Sequence, residues 1–366
     1  MNVGFYSPLP PAPTGVADYA AALLGGLRQI GPVAANPPQC DVPLYHLGNN
    51  PLHREIYCRA LQHPGVAVLH DAVLHHFLLG SLSQAEYLEE FIYNYGAWNR
   101  SLGEDLWQGR AASVSDPRYF QYPMLRRIAE RSRAIVVHNP AAARMVRQHA
   151  PKTRVVEIPH LFQRPQGPAE SQVARFRQQL GVAPGAFLFG VFGYLRESKR
   201  LGPVLETFAQ LRREAPQTAL LVAGKFVGSE LERAVASQLR HEGVVRLPFL
   251  SEAEFWLAAS AVDACLNLRD PGAGETSGIS IRLMGIGKPV LLTANEENAP
   301  FPEDACLRIA PGLAERESLH HHMILLTSIP RVHRAIGSRA AAYIQAQHSL
   351  ERVAHLYWDT LCEYRL

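Results

Sequence analysis

The chain has 366 residues, 47% of them hydrophobic and 19% charged, with a net charge of +3. That length suits two ordinary domains with separate cores, and the charge is too mild for a nucleic-acid binder. Five scattered cysteines, Cys40, Cys58, Cys265, Cys306 and Cys362, include no CxxC pair and fit a reducing cytosol rather than a disulfide framework. The sequence opens on an apparent strand, so no signal peptide is expected, and no apolar run reaches the ~20 residues of a membrane span. Only four of the 36 basic residues are lysines, and three of those, Lys199, Lys225 and Lys288, fall near predicted strand ends.

Val3 to Tyr6 reads as a first strand. The next stretch, SPLPPAPTG, is too rich in proline for helix or central strand. After Gly15 the apolar positions Val16, Tyr19, Ala20, Leu23, Leu24 and Leu27 follow a helical period. A stiff loop closed by a glycine can wall a ligand lying over the strand ends, and it can equally be a rigid turn. Pro43 to Leu47 is a second strand, and Asn49 and Asn50 after it suit capping. Val66 to Leu69 is a third, ending in His70-Asp71, at the carboxyl edge where open α/β sheets place ligands. His75 and His76 follow, but their spacing matches no zinc pattern, so no metal is expected.

Residues 85–130 are helical and aromatic-rich (Tyr93, Tyr95, Trp98, Trp107) and read as an inserted helical layer, mostly core. Arg133 to Val137 is a strand, Ala141 to His149 a helix and Arg154 to Ile158 the last strand of this half. Arg126, Arg127, Arg131, Arg133, Arg144 and Arg147 make a basic stretch. It is first of all a solvated face, and secondarily a surface for weak peripheral contact with an anionic membrane or acceptor. Pro159 to Gly185 is the hinge region.

The second half restarts with strand 187–192, then Gly193 and YLRESKRL. Helix 201–214, strand 218–223, helix 229–241, strand 244–247, helix 251–260, strand 262–267 and strand 288–292 follow. Strands alternating with helices of this length mean a parallel, doubly wound sheet. Gly193, Lys225 and Glu275 then lie at strand carboxyl ends, the ligand edge, and Lys199 and Arg200 can place cations on a diphosphate. Two final helices, about 331–347 and 349–364, have no strands.

The rest of the chain is organised around GAGETSGISIRLMGIGKPV, residues 272–290. A strand leads into a glycine-rich loop and then a helix N-terminus, which makes a ready anion site. Glu275 would repel a phosphate but can accept hydrogen bonds from hydroxyls. Amides for phosphate beside a carboxylate for hydroxyls suggest a sugar nucleotide, against the plainer reading of a simple turn. Transfer of the sugar would pass through an oxocarbenium-like state and leave charge on the diphosphate. No two aspartates are spaced D-x-D to hold a metal there, so Lys199, Arg200 and the helix N-terminus are expected to replace it.

The opening SPLPPAPTGVADY, the LHD strand end, VVHNP, IPH, FGYLRESKR and the glycine-rich loop, in that order, resemble the retaining GT-B glycosyltransferases. The nearest group is family 4 (group 1), sugar transferases typical of cell-surface polysaccharide synthesis. The resemblance covers nearly the whole chain and implies an α/β, GT-B fold, two Rossmann-like doubly wound domains facing across a cleft. It implies an acceptor-side domain at 1–170, with its insertion at about 85–130, and a nucleotide-sugar domain at 171–345. A helix at 346–366 would cross back to the first domain. The implied activity is a retaining, hexosyltransferase-type transfer from a UDP- or GDP-linked sugar to a glycan, lipid-linked or small-molecule acceptor. No metal or other cofactor is implied, and the setting is cytoplasmic, with at most peripheral contact with the membrane. Carried over by residue, Lys199 binds the diphosphate. Glu275 and the amides of Thr276, Ser277, Gly278 and Ile279 surround the sugar and phosphates. Gly15 approaches the diphosphate, and His70 sits by the donor sugar near the reacting centre. The family often carries an arginine after the glycine of the second domain's first strand; Tyr194 stands there, and Arg196 or Arg200 would substitute. Arg282 occupies the place of the glutamate that usually holds the ribose. Two rivals stay open, a sugar-nucleotide epimerase of the same fold and a degenerate sugar-nucleotide-binding protein. A nicotinamide dehydrogenase ranks lowest, because no glycine fingerprint follows the first strand.

Overall fold

The computed structural model describes residues 1–113 and 116–365. Positions 114 and 115 of the expected helical insertion, and position 366 of the expected last helix segment, lie outside the described residues. The chain forms two compact units. The first comprises Met1–Gln163, Pro271–Thr276 and Gln347–Leu366; the second comprises Arg164–Asp270 and Ser277–Ala346.

The first unit holds strands β1 (Val3–Tyr6), β2 (Val33–Ala35), β3 (Val42–Leu47), β4 (Val66–Leu69), β5 (Ala134–Val137) and β6 (Val155–Glu157). They form one parallel sheet in the order β2-β1-β3-β4-β5-β6. The central strands VGFY, VPLYHL, VAVL and AIVV are buried at every position, as strands covered on both faces must be. Alternate side chains feed two cores. Phe5, Leu44, Val68 and Val136 pack with Tyr19, Leu23 and Leu27 of the helix Gly15–Ile30. Tyr45, Leu69, Ile135 and Val137 pack with Tyr87, Phe91, Leu106 and Tyr119 from 85–130, while of the aromatics singled out there Tyr93, Tyr95 and Trp107 are half-buried and Trp98 is exposed. The C-terminal helix Leu350–Glu363 packs on Gly15–Ile30, where Tyr19 and Tyr357 hydroxyls meet at 3.0 Å. The helices come close because glycines face them: a Cβ on Gly31 would lie 2.1 Å from the Trp358 ring.

The second unit holds β7 (Phe187–Leu195), β8 (Thr218–Phe226), β9 (Val244–Leu247), β10 (Ala264–Asn267), β11 (Val290–Thr293) and β12 (Leu307–Ile309). This sheet is also parallel, in the order β12-β11-β10-β7-β8-β9. β7 and β8 run further than the sequence suggests, nine residues each, and their far ends pair Gly193 with Gly224. Gly193 has φ +92°, and any Cβ on Gly224 would fall 1.8 Å from the Gly193 carbonyl oxygen. The sheet edge by the glycine turn thus depends on two positions without side chains. The strand order reverses between β1 and β3 in one sheet and between β7 and β10 in the other. Open α/β sheets bind ligands outside strand carboxyl ends at such reversals. Among the described residues, no helix is long and apolar enough to cross a membrane.

Gly224→Ala should lower unfolding stability by about 1–3 kcal/mol, the usual cost of overpacking. Gly15→Ala, at a position with no atom within 4 Å of an added Cβ, should cost nothing and gain up to about 1 kcal/mol. Urea-unfolding midpoints of the two variants check the contrast.

Candidate functional site

In the second unit the polar groups gather at the reversal between β7 and β10. β10 ends in Asn267, which is buried. Lys199 lies in the short turn Glu197–Lys199 after β7 and is also buried, at 6% exposure. Its ammonium donates to the Phe192 carbonyl at 2.6 Å and to Asn267 Oδ1 at 3.2 Å. The Asn267 amide nitrogen donates to Ser277 Oγ at 2.8 Å and Ser280 Oγ at 2.6 Å. Ser277 in turn caps the helix Gly278–Gly285, accepting from the Ser280 N–H. One side chain therefore links a buried cation to the positive end of a helix. A Cβ on Gly193 would lie 3.8 Å from Lys199 Nζ and 3.9 Å from Ile279, so Gly193, Lys199 and Ile279 converge.

The other expected cations of this unit are placed differently. Arg200 takes a left-handed φ of 57° and pairs with the buried Glu315 at 2.9 Å. Arg282 pairs with Glu252 and lies over the rings of Phe255 and Trp256, 3.9 and 4.3 Å from their centroids. Arg196 is exposed, 6.0 Å from the Tyr194 ring centroid, and exposed Lys225 is the strand partner of Tyr194.

In the first unit Gly15 is exposed at the start of its helix, behind the capping Thr14. Asn50 caps the turn that follows it, as expected, whereas Asn49 Oδ1 accepts the N–H of Phe77, 28 positions along the chain. The segment Pro271–Thr276 lies along the ends of β4 and β5. The Ala72 N–H donates to the Ala273 carbonyl at 3.0 Å. Asn139 Nδ2 donates to the Gly274 carbonyl at 2.9 Å and to Thr276 Oγ1 at 3.0 Å. The Thr276 hydroxyl donates to the His138 carbonyl. Gly274, at φ +70°, sits where a Cβ would be 2.6 Å from Ala72. Glu275 is half-buried and accepts the Ala273 N–H at 2.8 Å.

His70 belongs to a histidine cluster that no sequence motif announces. His46 in β3, His70 after β4, His138 after β5 and His160 after β6 surround the Tyr19 ring, with centroids 6.0, 4.8, 5.4 and 4.8 Å away. His46 Nδ1 and His70 Nε2 share a hydrogen bond at 3.0 Å. His53 Nδ1 donates to the His46 carbonyl, His138 Nδ1 to the Ile158 carbonyl and His348 Nδ1 to the His160 carbonyl. Burial holds His46 and His70 well below the usual histidine range, and brings His53, His138 and His348 down to about 4. At neutral pH these rings are uncharged. His70 can hydrogen-bond a sugar but cannot neutralise a phosphate. Asn139, which caps the helix Pro140–His149 while gripping the loop, also went unread in VVHNP. The signal available was a polar pair at a strand's carboxyl end, the same one that marks His70-Asp71. Among the described residues, no three His, Cys, Asp or Glu side chains are placed to hold a metal ion.

The sequence matches no family model and no curated protein. Solved structures do match. Sucrose-phosphate synthase from Thermosynechococcus elongatus superposes with a TM-score of 0.70 at 16% identity, over 99% of this chain and 98% of that one. HepE of Anabaena, in complex with UDP-glucose, gives 0.70 at 14% identity over 99% and 100%. WaaG, a glycosyltransferase involved in lipopolysaccharide biosynthesis, gives 0.64 at 16% over 98% and 99%. The fold is GT-B. Its two Rossmann-like domains, expected from the sequence, are each six-stranded here.

The buried histidines make the GT-B chain acid-sensitive. Each takes up a proton near pH 6.5 when unfolded but only near pH 4 when folded. Their contribution is therefore complete above about pH 6.5 and declines as pH falls towards 4. In that window stability should fall with falling pH, by at most about 1 kcal/mol per pH unit for each of His53, His138 and His348. Chemical unfolding at pH 7.5, 6 and 5 checks this, and a flat profile contradicts it.

Proposed function

We propose that this chain is a glycosyltransferase that moves a sugar from a nucleoside-diphosphate sugar to a glycan, lipid-linked or small-molecule acceptor. The observation that carries the reading is the Lys199–Asn267–Ser277 chain. It holds a cation and a helix N-terminus together at a sheet reversal, an arrangement suited to the charge that develops on a departing diphosphate. In this reading Lys199 binds the diphosphate with the amides of Thr276, Ser277, Gly278 and Ile279. Gly15, where an added Cβ would meet nothing within 4 Å, lets the phosphates approach. Glu275 takes sugar hydroxyls, and neutral His70 contacts the sugar near the reacting carbon. Gly193 leaves room beside Lys199, while Arg196 and Lys225 supply outer positive charge. Arg200 and Arg282, held by Glu315 and Glu252, act by shaping the site rather than by touching phosphate.

Structures of HepE with UDP-glucose, with UDP and glucose, and with UDP alone support a sugar nucleotide as partner, and we propose UDP ahead of GDP on their strength. Retention of configuration and a family 4 relationship rest on the sequence resemblance. Transfer without metal rests on the fixed charge just described. We assign the acceptor to residues 1–170 and the donor mainly to 171–345. A cytoplasmic setting belongs to the same reading, with weak peripheral membrane contact through the first unit, where Trp98 is 85% exposed beside the exposed Arg100.

Nucleotide release from UDP-glucose that depends on an added acceptor tests the proposal and separates a transferase from an epimerase or a binding protein. Lys199→Ala and Glu275→Ala should each lower turnover by about 10²–10³ while the chain stays folded. His70→Ala should reduce kcat more than donor affinity, and EDTA should leave the rate unchanged. Wild-type turnover in the Lys199 and Glu275 variants would overturn the site.

A further inference from the structure

We propose that His46 is a positioning residue for His70. Its Nδ1–H donates to His70 Nε2, which fixes His70 as the Nδ1–H tautomer and makes it a hydrogen-bond donor at the carboxyl edge of the first sheet. The inference rests on the functional reading above only in taking the receiving oxygen to belong to the donor sugar; the tautomer follows from the first unit alone.

His46 lies within β3 and has no exposed surface. The Phe5 ring is 4.6 Å from it, the Tyr19 ring 6.0 Å and the Tyr357 ring 6.4 Å, centroid to centroid. Its Nδ1 faces His70 Nε2 at 3.0 Å, and its Nε2 is enclosed with no hydrogen-bond partner. Both rings are uncharged, so each carries a single N–H, and two arrangements exist. If His70 Nε2–H were the donor, His46 would carry its own proton on Nε2 and bury an N–H without a partner. If His46 Nδ1–H is the donor, the interior holds only a bare imine lone pair. Orphaned buried N–H groups are rare, and bare Nε2 atoms recur in this interior, so the second arrangement wins.

The neighbours in the same cluster show that this interior accepts bare Nε2 atoms. His53 and His138 each face a carbonyl oxygen with Nδ1, so each must carry its proton there. Each leaves Nε2 enclosed and unpartnered. His46 follows the same pattern with an imidazole nitrogen as acceptor in place of a carbonyl. The consequence falls on His70. Its Nε2 is occupied as an acceptor, while its Nδ1 is neither enclosed nor hydrogen-bonded, and 9% of the residue is open. The proton therefore sits on the nitrogen that a ligand can reach. Which nitrogen of a histidine is protonated is set by the bond the other makes, and here that bond comes from His46.

The test is a long-range proton–nitrogen correlation spectrum of the full chain labelled with 15N-histidine, recorded at pH 7.5. His70→Asn and His46→Phe assign the two rings by difference. Wild type should show both rings with a protonated Nδ1 and a bare Nε2. In His46→Phe the His70 ring should lose that single state and show protonation on Nε2. Wild-type His70 protonated on Nε2 would overturn the proposal, and so would an unchanged His70 spectrum in His46→Phe. In the acceptor-dependent assay His46→Phe should lower kcat by about tenfold or more with donor KM little changed, comparable with losses at outer-shell partners of metal-bound histidines. His46→Asn, whose amide nitrogen can stand in for Nδ1–H, should recover most of the loss; equal loss in both variants would overturn the positioning role. Should the chain prove not to transfer sugar, the spectra alone still decide the tautomer, so the two failures are distinguishable.

Discussion

A strand buried on both faces has only its ends for polar chemistry. The strands β1, β4, β5 and β10 are closed to solvent along their length and, up to Asn267 at the end of β10, largely apolar. Hydrogen-bonding side chains therefore collect just past the carboxyl ends, where the chain turns into loop or helix. Several candidate site residues of this protein follow from that constraint, although His46 inside β3 and Arg282 within the helix Gly278–Gly285 do not. His70, His138 and Asn139 stand just beyond β4 and β5, Gly193 and Asn267 in the last turns of β7 and β10.

The two units meet the constraint in opposite ways. In the second, a cation is kept in a buried place, which is tolerable only because two oxygens accept from Lys199 and Asn267 carries the bonding on to Ser277 and Ser280. In the first, burial removes charge altogether, leaving neutral imidazoles that bond one another and backbone carbonyls. Fixed charge suits a diphosphate, and neutral donors and acceptors suit sugar hydroxyls.

The sheets were legible because continuous apolar runs such as VAVL and AIVV have one economical arrangement, and alternating helices make it parallel. β2 and β12 escaped notice because three residues carry no period, and the helix Glu315–Ser328 because three adjacent histidines interrupt its apolar stripe. The glycine-rich loop was legible as a local pattern. The histidine cluster was not, since its members come from segments far apart in the chain and only the sheet brings them round Tyr19. The arginines show the same limit. A sequence displays the charge of Arg200 and Arg282 but not Glu315 and Glu252, which lie 115 and 30 positions away and engage them.

The central claim is that a nucleoside diphosphate belongs at the fixed charge of the second unit. Thermal unfolding in the presence of UDP, GDP, TDP and ADP, each with and without EDTA, addresses it most directly. A ligand at a hundredfold excess over its dissociation constant stabilises the folded chain by about 2.7 kcal/mol. The account predicts that one diphosphate, UDP, raises the melting temperature well above the others and does so equally with chelator present. No shift with any of the four would contradict it.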